Sequence, residues 1–227
     1  MSTLNFDEIN KLESFQEKEI SRRVIPHEQY FGEMKLTESE KEERILLARK
    51  LEDKFWIILN LILVMKSFGK YDWIKIQNEF ENAYLSSIED VLNDSKSKSK
   101  NIIDSQYIKQ SAKIFAQEVA ESTERNIEDE YFISSQRAIN MAQNESNSIG
   151  NYLQYERAKS SGKKKKRWIA MNDKFVRHTH SVINGRIKKI DDLFLVGDSM
   201  MMYPKDESFG ASAKEIVNCR CSVEYLK

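Results

Sequence analysis

Between Met1 and Ala158 the chain offers only three glycines (Gly32, Gly69 and Gly150) and one proline, Pro26, while its apolar residues recur at spacings of three and four. Glycine and proline are the residues that most readily end a helix, so their scarcity restricts these 158 residues to long helices with few connections. The character changes after residue 158, where Gly162, Gly185, Gly197, Pro204 and Gly210 punctuate short runs such as Arg186–Ile190 that alternate like strands. The expected fold is mainly α with a small α+β C-terminal domain: a helical bundle or stalk, then a compact head with a short antiparallel sheet. The expected boundaries are a helical domain at 1–158, a basic hinge at 159–167 and a head domain at 168–227.

Within the helical part, Phe6, Ile9, Leu12 and Phe15 predict a helix over 5–23, ended by Pro26. Residues 25–32 then read as a connector, with His27 a solvated loop residue. Thr37-Glu38-Ser39-Glu40 has the form of a capping box, predicting a helix from there to Phe68 with Gly69 as its C-cap. The second half of that helix is apolar on nearly every side, so it is either the centre of a bundle or in part a contact surface. Further helices are expected over 71–92, from 103 to beyond 119, and over 124–158 with a break near Asn144–Gly150. The polar run Asn93–Lys100 separates the first two. The longest apolar run, Phe55–Met65, is interrupted by Asn60 and falls well short of the roughly 20 residues a membrane span needs. The Met1–Asp7 start has neither a basic nor an apolar region, so no signal peptide is expected.

The formal net charge of zero conceals a segregation. Residues 159–189 hold eleven Lys or Arg against Asp173 alone, a net +10, whereas 190–227 carry a net −3 and 1–158 a net −7. The basic run contains Lys163, Lys164, Lys165, Lys166 and Arg167. It reads either as a solvated linker or as a contact for phosphate backbone, because clustered cations release condensed counterions without reading sequence. No aromatic residues are interleaved with it, which favours duplex over single-stranded DNA.

Both cysteines and two of the three histidines fall in the last fifty residues, as His178-x-His180 and Cys219-x-Cys221. On neighbouring strands these four side chains would converge on one tetrahedral zinc; otherwise they form a packed, hydrogen-bonded cluster. Asp173, Arg177 and His180 are spaced to share one helical face, either as an acid–base set or as an ion pair with a structural histidine. Asn184-Gly185 is a tight-turn signal that needs positive φ. Two cysteines one residue apart suit synthesis in a reducing cytoplasm better than a long-range disulfide. The chain contains no phosphate-binding glycine loop, dinucleotide fingerprint, His-Glu-x-x-His or Gly-x-Ser-x-Gly, and nothing in it demands an enzyme.

Lys166-Arg167-Trp168, Asp173, Arg177-His178-Thr179-His180, Asn184-Gly185, Asp191–Phe194, Met202-Tyr203-Pro204 and Asn218–Cys221 occur in an order that resembles the C-terminal domain of the phage minor head proteins, the Mu protein F-like head morphogenesis family. Upstream, Arg137–Asn140 and Asn144-Glu145-Ser146 extend the resemblance to about residue 135. It implies that Trp168, Asp173, Arg177, His180, Gly185, Asn218, Cys219 and Cys221 form the structural motif of the head domain. The position of His180 recurs in that family and that of His178 varies. The resemblance also implies a virion protein, made in the host cytoplasm, that joins the procapsid near the portal. Its expected partners are the portal protein, scaffold or major capsid protein, and double-stranded DNA without sequence preference, with ejection alongside the genome as a further role. No membrane is involved. The competing expectation is a virion-delivered nuclease or toxin using His180 and Asp173.

Overall fold

The computed structural model describes residues 25–94, 105–171 and 173–227. These fall into two compact units. One comprises Pro26–Phe31 and Thr37–Ile149; the other comprises Ile25, Gly32–Leu36 and Gly150–Lys227.

The first unit is helical, with α1 (His27–Gly32), α2 (Glu38–Phe68), α3 (Trp73–Asp94), α4 (Gln106–Arg125), a 3-10 turn at Glu130–Ile133 and the start of α5 (Ser135–Ser160). Helix α2 begins as its sequence demands: Thr37 Oγ1 accepts from the Glu40 amide at 3.4 Å, and the Thr37 amide donates to Glu40 Oε2 at 2.8 Å. At its other end Gly69 adopts the left-handed conformation, φ 63°, and returns its N–H to the carbonyl of Lys66. The buried face of α2 (Leu51, Phe55, Leu59, Ile62) meets the aromatic stripes of α3 and α4. Phe115 is the node, with its ring 5.0 Å from Phe55, 6.2 Å from Phe80 and 5.3 Å from Tyr84. The apolar character of the remaining α2 surface does not come from burial, for Trp56, Ile57, Leu63, Val64 and Phe68 are exposed. Among the described residues no helix is long and apolar enough to cross a membrane.

Two local expectations fail here. The connector is helix α1, whose first turn is closed by the Tyr30 amide on the Pro26 carbonyl at 2.9 Å; proline is tolerated there because it lacks an N–H that would otherwise need a partner ahead of the helix. His27 is accordingly buried, with Nε2 2.7 Å from Glu52 Oε2 and Nδ1 3.1 Å from Gln143 Nε2. Nor does α5 break near Asn144–Gly150. Ser146 donates to the Arg44 carbonyl at 2.6 Å, and Asn147 accepts from Arg44 Nε at 3.3 Å, so polar side chains suggestive of a loop are used by a neighbouring helix. The helix expected over 5–23 and most of the loop expected over 93–100 lie outside the described residues.

The second unit carries a three-stranded antiparallel sheet in the order β2–β1–β5, from β1 (Lys165–Ile169), β2 (Ile187–Lys189) and β5 (Ser222–Leu226). A separate hairpin joins β3 (Phe194–Val196) to β4 (Ser199–Met201), and two short helices, α6 (His178–Ile183) and α7 (Ala213–Ile216), complete it. In the register Trp168 stands opposite Val223, and Lys165 stands opposite Lys189 on one side and Leu226 on the other. Trp168 is fully buried at the centre of a core that includes Phe194, Val196, Met201, Ile216, Cys219 and Cys221. The end of α5 belongs to this unit, with Tyr152 and Tyr155 against Tyr203 of the Met-Tyr-Pro motif at 6.3 and 5.3 Å between ring centres.

The expected hinge at 159–167 is also corrected. Helix α5 continues to Ser160 and β1 begins at Lys165, so Lys165, Lys166 and Arg167 are strand residues and the compact units divide at Gly150. Charge density alone signals solvation; strand pairing with β2 and β5 overrides it.

Candidate functional site

Three backbone devices bring the head-domain motif together. The first is the Asn184-Gly185 turn: Gly185, at φ 78°, donates to the Trp168 carbonyl at 2.8 Å, and Asn184 Oδ1 accepts from the Ala170 amide at 2.9 Å. The turn is thereby tied to β1, and α6 with His180 is set beside Trp168, their rings 5.8 Å apart and nearly perpendicular. The second is Asn218, at φ 56°, which follows the C-cap of α7 in the left-handed conformation that asparagine tolerates better than most residues. It turns the chain so that Cys219 and Cys221 face inward. The third is a pair of cations on the end of α7: Lys205 Nζ donates to the Ile216 carbonyl at 2.8 Å and Arg177 to that of Val217 at 2.6 Å.

At the convergence, His180 Nδ1 lies 3.3 Å from Cys221 Sγ and 3.5 Å from Cys219 Sγ, and the Cys221 amide donates to Cys219 Sγ at 3.5 Å. The other ring nitrogen, Nε2, lies 3.0 Å from Glu215 Oε2, which also accepts from Thr179 Oγ1 at 2.8 Å. His180, Glu215 and both cysteines are buried. Because a carboxylate only accepts, Nε2 carries a proton and Nδ1 is the nitrogen turned to the sulfurs.

The electrostatics follow from this packing. Burial alone would depress His180, but the Cys219 sulfur and the Glu215 carboxylate outweigh it and hold the imidazole up to about 9. Burial would likewise raise Glu215, whose contacts with His180 and Thr179 instead hold it below its ordinary value. Cys219 is driven well below an ordinary thiol despite its burial, by the Cys221 S–H, His180 and Lys205. Cys221 is driven well above, by burial and by its neighbour Cys219. The Trp168 indole N–H, buried without an acceptor at hydrogen-bond distance, still stands near enough to favour the Cys221 thiolate. These shifts favour an imidazolium–thiolate pair of His180 and Cys219 backed by the Glu215 carboxylate. The ligand atoms of His180, Cys219 and Cys221 lie within 4.8 Å of one another, so the same residues could hold a soft or borderline metal.

Several expectations are redrawn. His178 is exposed and stands outside the cluster; on α6 residues two apart point in different directions, whereas the four-ligand expectation required a strand. The cysteines precede β5 rather than lying within it, so Asn218 and the α7 end orient the sulfurs instead of strand alternation. Asp173, Arg177 and His180 form no shared constellation: Asp173 pairs with Arg220, Arg177 serves the Val217 carbonyl, and His180 pairs with Glu215. Lys166 is fully buried, donating to the Met202 carbonyl at 2.6 Å beneath the rings of Tyr155 and Phe194, and burial pushes it down to about 8. It therefore leaves the set of exposed DNA-contact candidates. Arg167 is half-buried and pairs with Glu224 at 2.9 Å; Lys163 is half-buried, and Lys164 and Lys165 are exposed. The functional residue missed from the sequence is Glu215, for nothing local in Ala213–Ile216 connects it to a histidine 35 residues earlier.

A family model described as Phage Mu protein F like protein matches residues 108–224, just over half of the chain. An NAD(+)–arginine ADP-ribosyltransferase of Enterococcus faecalis is 34% identical over 102 residues, covering 43% of this chain and 20% of that protein. The chain thus spans about a fifth of the length of this curated relative. No solved structure matches it.

Proposed function

The chain belongs to the Mu protein F-like family of phage head morphogenesis proteins, and from that membership we propose that it is a minor structural component of the head, docking at the portal of the procapsid and touching the packaged genome. The observation that carries the DNA contact is the register of β1 and β2. Lys165 lies directly opposite Lys189, and Arg186 and Lys188 beside them are exposed. Like charges facing each other across an antiparallel pair oppose its pairing, which makes this ribbon a natural partner for phosphate. The apolar surface of α2 at Ile57, Val64 and Phe68 supports a protein-facing role for the helical unit, because charged or polar residues ordinarily cover such a face. The commitment of Asp173 to Arg220 and of His180 to Glu215 supports a structural reading over a nuclease that would use Asp173 with His180.

Two measurements test this reading. Duplex DNA binding by the full chain should weaken when Lys164, Lys165 and Lys189 are changed to Glu, and its dependence on salt should flatten, since each phosphate contact contributes about 0.9 to the slope of log K against log salt. An unchanged slope would return the ribbon to solvent. Co-purification with the portal protein of the same phage should be lost in Ile57→Glu, Val64→Glu; a wild-type chain that fails to co-purify would remove the docking role.

A further inference from the structure

We infer that His180, Cys219 and Cys221 bind a zinc ion, with Glu215 as the residue that orients the histidine. In a tetrahedral site with zinc–sulfur bonds of about 2.3 Å and zinc–nitrogen bonds of about 2.05 Å, each N···S edge is about 3.6 Å. The two N···S separations here, 3.3 and 3.5 Å, lie just inside that edge, so one ion can reach all three ligand atoms with little movement of the side chains.

The surroundings fit the same ion. A metal-binding histidine characteristically donates its far ring N–H to a carboxylate, and Glu215, itself buried and held by Thr179, occupies that position at 3.0 Å. The Cys221 amide directed at Cys219 Sγ stabilises sulfur as thiolate. Two thiolates and a neutral imidazole leave a divalent cation with no net charge, which removes the main penalty for burying the ion in a core beside Trp168 and Phe194. The donor set of two sulfurs and one nitrogen selects zinc over the oxygen-seeking cations. Among the described His, Cys, Asp and Glu residues the cluster has three members. This inference stands apart from the DNA and portal reading and survives its failure.

The test uses the full chain purified under reducing conditions without chelator. Elemental analysis should give close to one zinc per chain, and cobalt substituted for zinc should show thiolate charge-transfer absorption with the visible bands of tetrahedral coordination. His178→Ala should leave both unchanged. Glu215→Gln keeps all three ligands and should weaken zinc about 10–100-fold in competition with a chelator. The Cys219→Ser, Cys221→Ser variant should lose the metal, and if it does not fold, the Glu215→Gln measurement decides alone. A chain prepared with zinc in ample supply that has both thiols reduced and holds less than a tenth of an equivalent of metal overturns the proposal. So does a Cys219–Cys221 disulfide, seen as the loss of two hydrogens in the intact mass, or a zinc affinity indifferent to Glu215→Gln.

Discussion

A β-carbon placed on Gly197 would stand 2.6 Å from Glu215 Oε1, closer than any real side chain tolerates, so the β3–β4 turn and the carboxylate behind His180 are built in contact. Gly197 also has φ 56°. Gly197→Ala should therefore cost about 2–4 kcal/mol, combining the left-handed penalty with displacement of Glu215 from its partners. Gly162→Ala is the control. Its φ is 74° but nothing lies within 4 Å, so only the conformational part, about 1–2 kcal/mol, is expected. Denaturant midpoints of the two variants check the difference.

Arg220 is the bound centre of the Asn-Cys-Arg-Cys segment, paired with Asp173 and, at 3.4 Å, with Glu33. Its guanidinium is nearly covered while both carboxylates keep contact with solvent, which places the pairs between the surface and buried limits. Arg220→Ala is expected to cost about 1–2 kcal/mol in chemical denaturation. Arg220→Lys should recover only part of this, since an ammonium cannot present the planar fork to two acids.

Lys166 gives a pH dependence of definite sign. Burial lowers its amine from 10.5 to about 8, so between those values the unfolded chain holds a proton that the folded chain has released. Stability contributed by this group therefore rises with pH across that window, and is constant below it where both states are protonated. Thermal midpoints of wild type and Lys166→Met, compared from pH 7 to 10, should diverge in favour of wild type as pH rises. A constant difference would mean that the amine titrates in its ordinary range.

Thr37→Ala removes the side-chain half of the α2 capping box and should cost about 1 kcal/mol in the helical unit. Helix content monitored by circular dichroism through urea unfolding is a sufficient readout.

The capping box at Thr37 and Glu40 and the Gly69 stop were both legible, because each signal is complete within about one or two turns of helix. The Asn184-Gly185 turn and the grouping of His180 with the cysteines were legible for a similar reason: few side chains of that chemistry exist to be matched. What escaped depended on partners distant in sequence. Lys166 looks solvated until Tyr155, Phe194 and the Met202 carbonyl enclose it. Ser146 and Asn147 look like a break until Arg44 meets them. His178 and His180 look equivalent until α6 points one outward and Glu215 claims the other.

The strand that closes the three-stranded sheet is Ser222–Leu226, and its partner Lys165–Ile169 is made some fifty residues sooner. Its flank also holds the cysteines and Arg220, and Ser222 Oγ donates to the Lys35 carbonyl at 3.2 Å. During synthesis, then, the helical unit can be complete once residue 149 has left the ribosome, whereas the sheet unit must wait for residue 226. For that interval Trp168 has no Val223 opposite it and His180 has neither sulfur, so a nascent chain would carry an open apolar surface to be guarded until its last strand arrives.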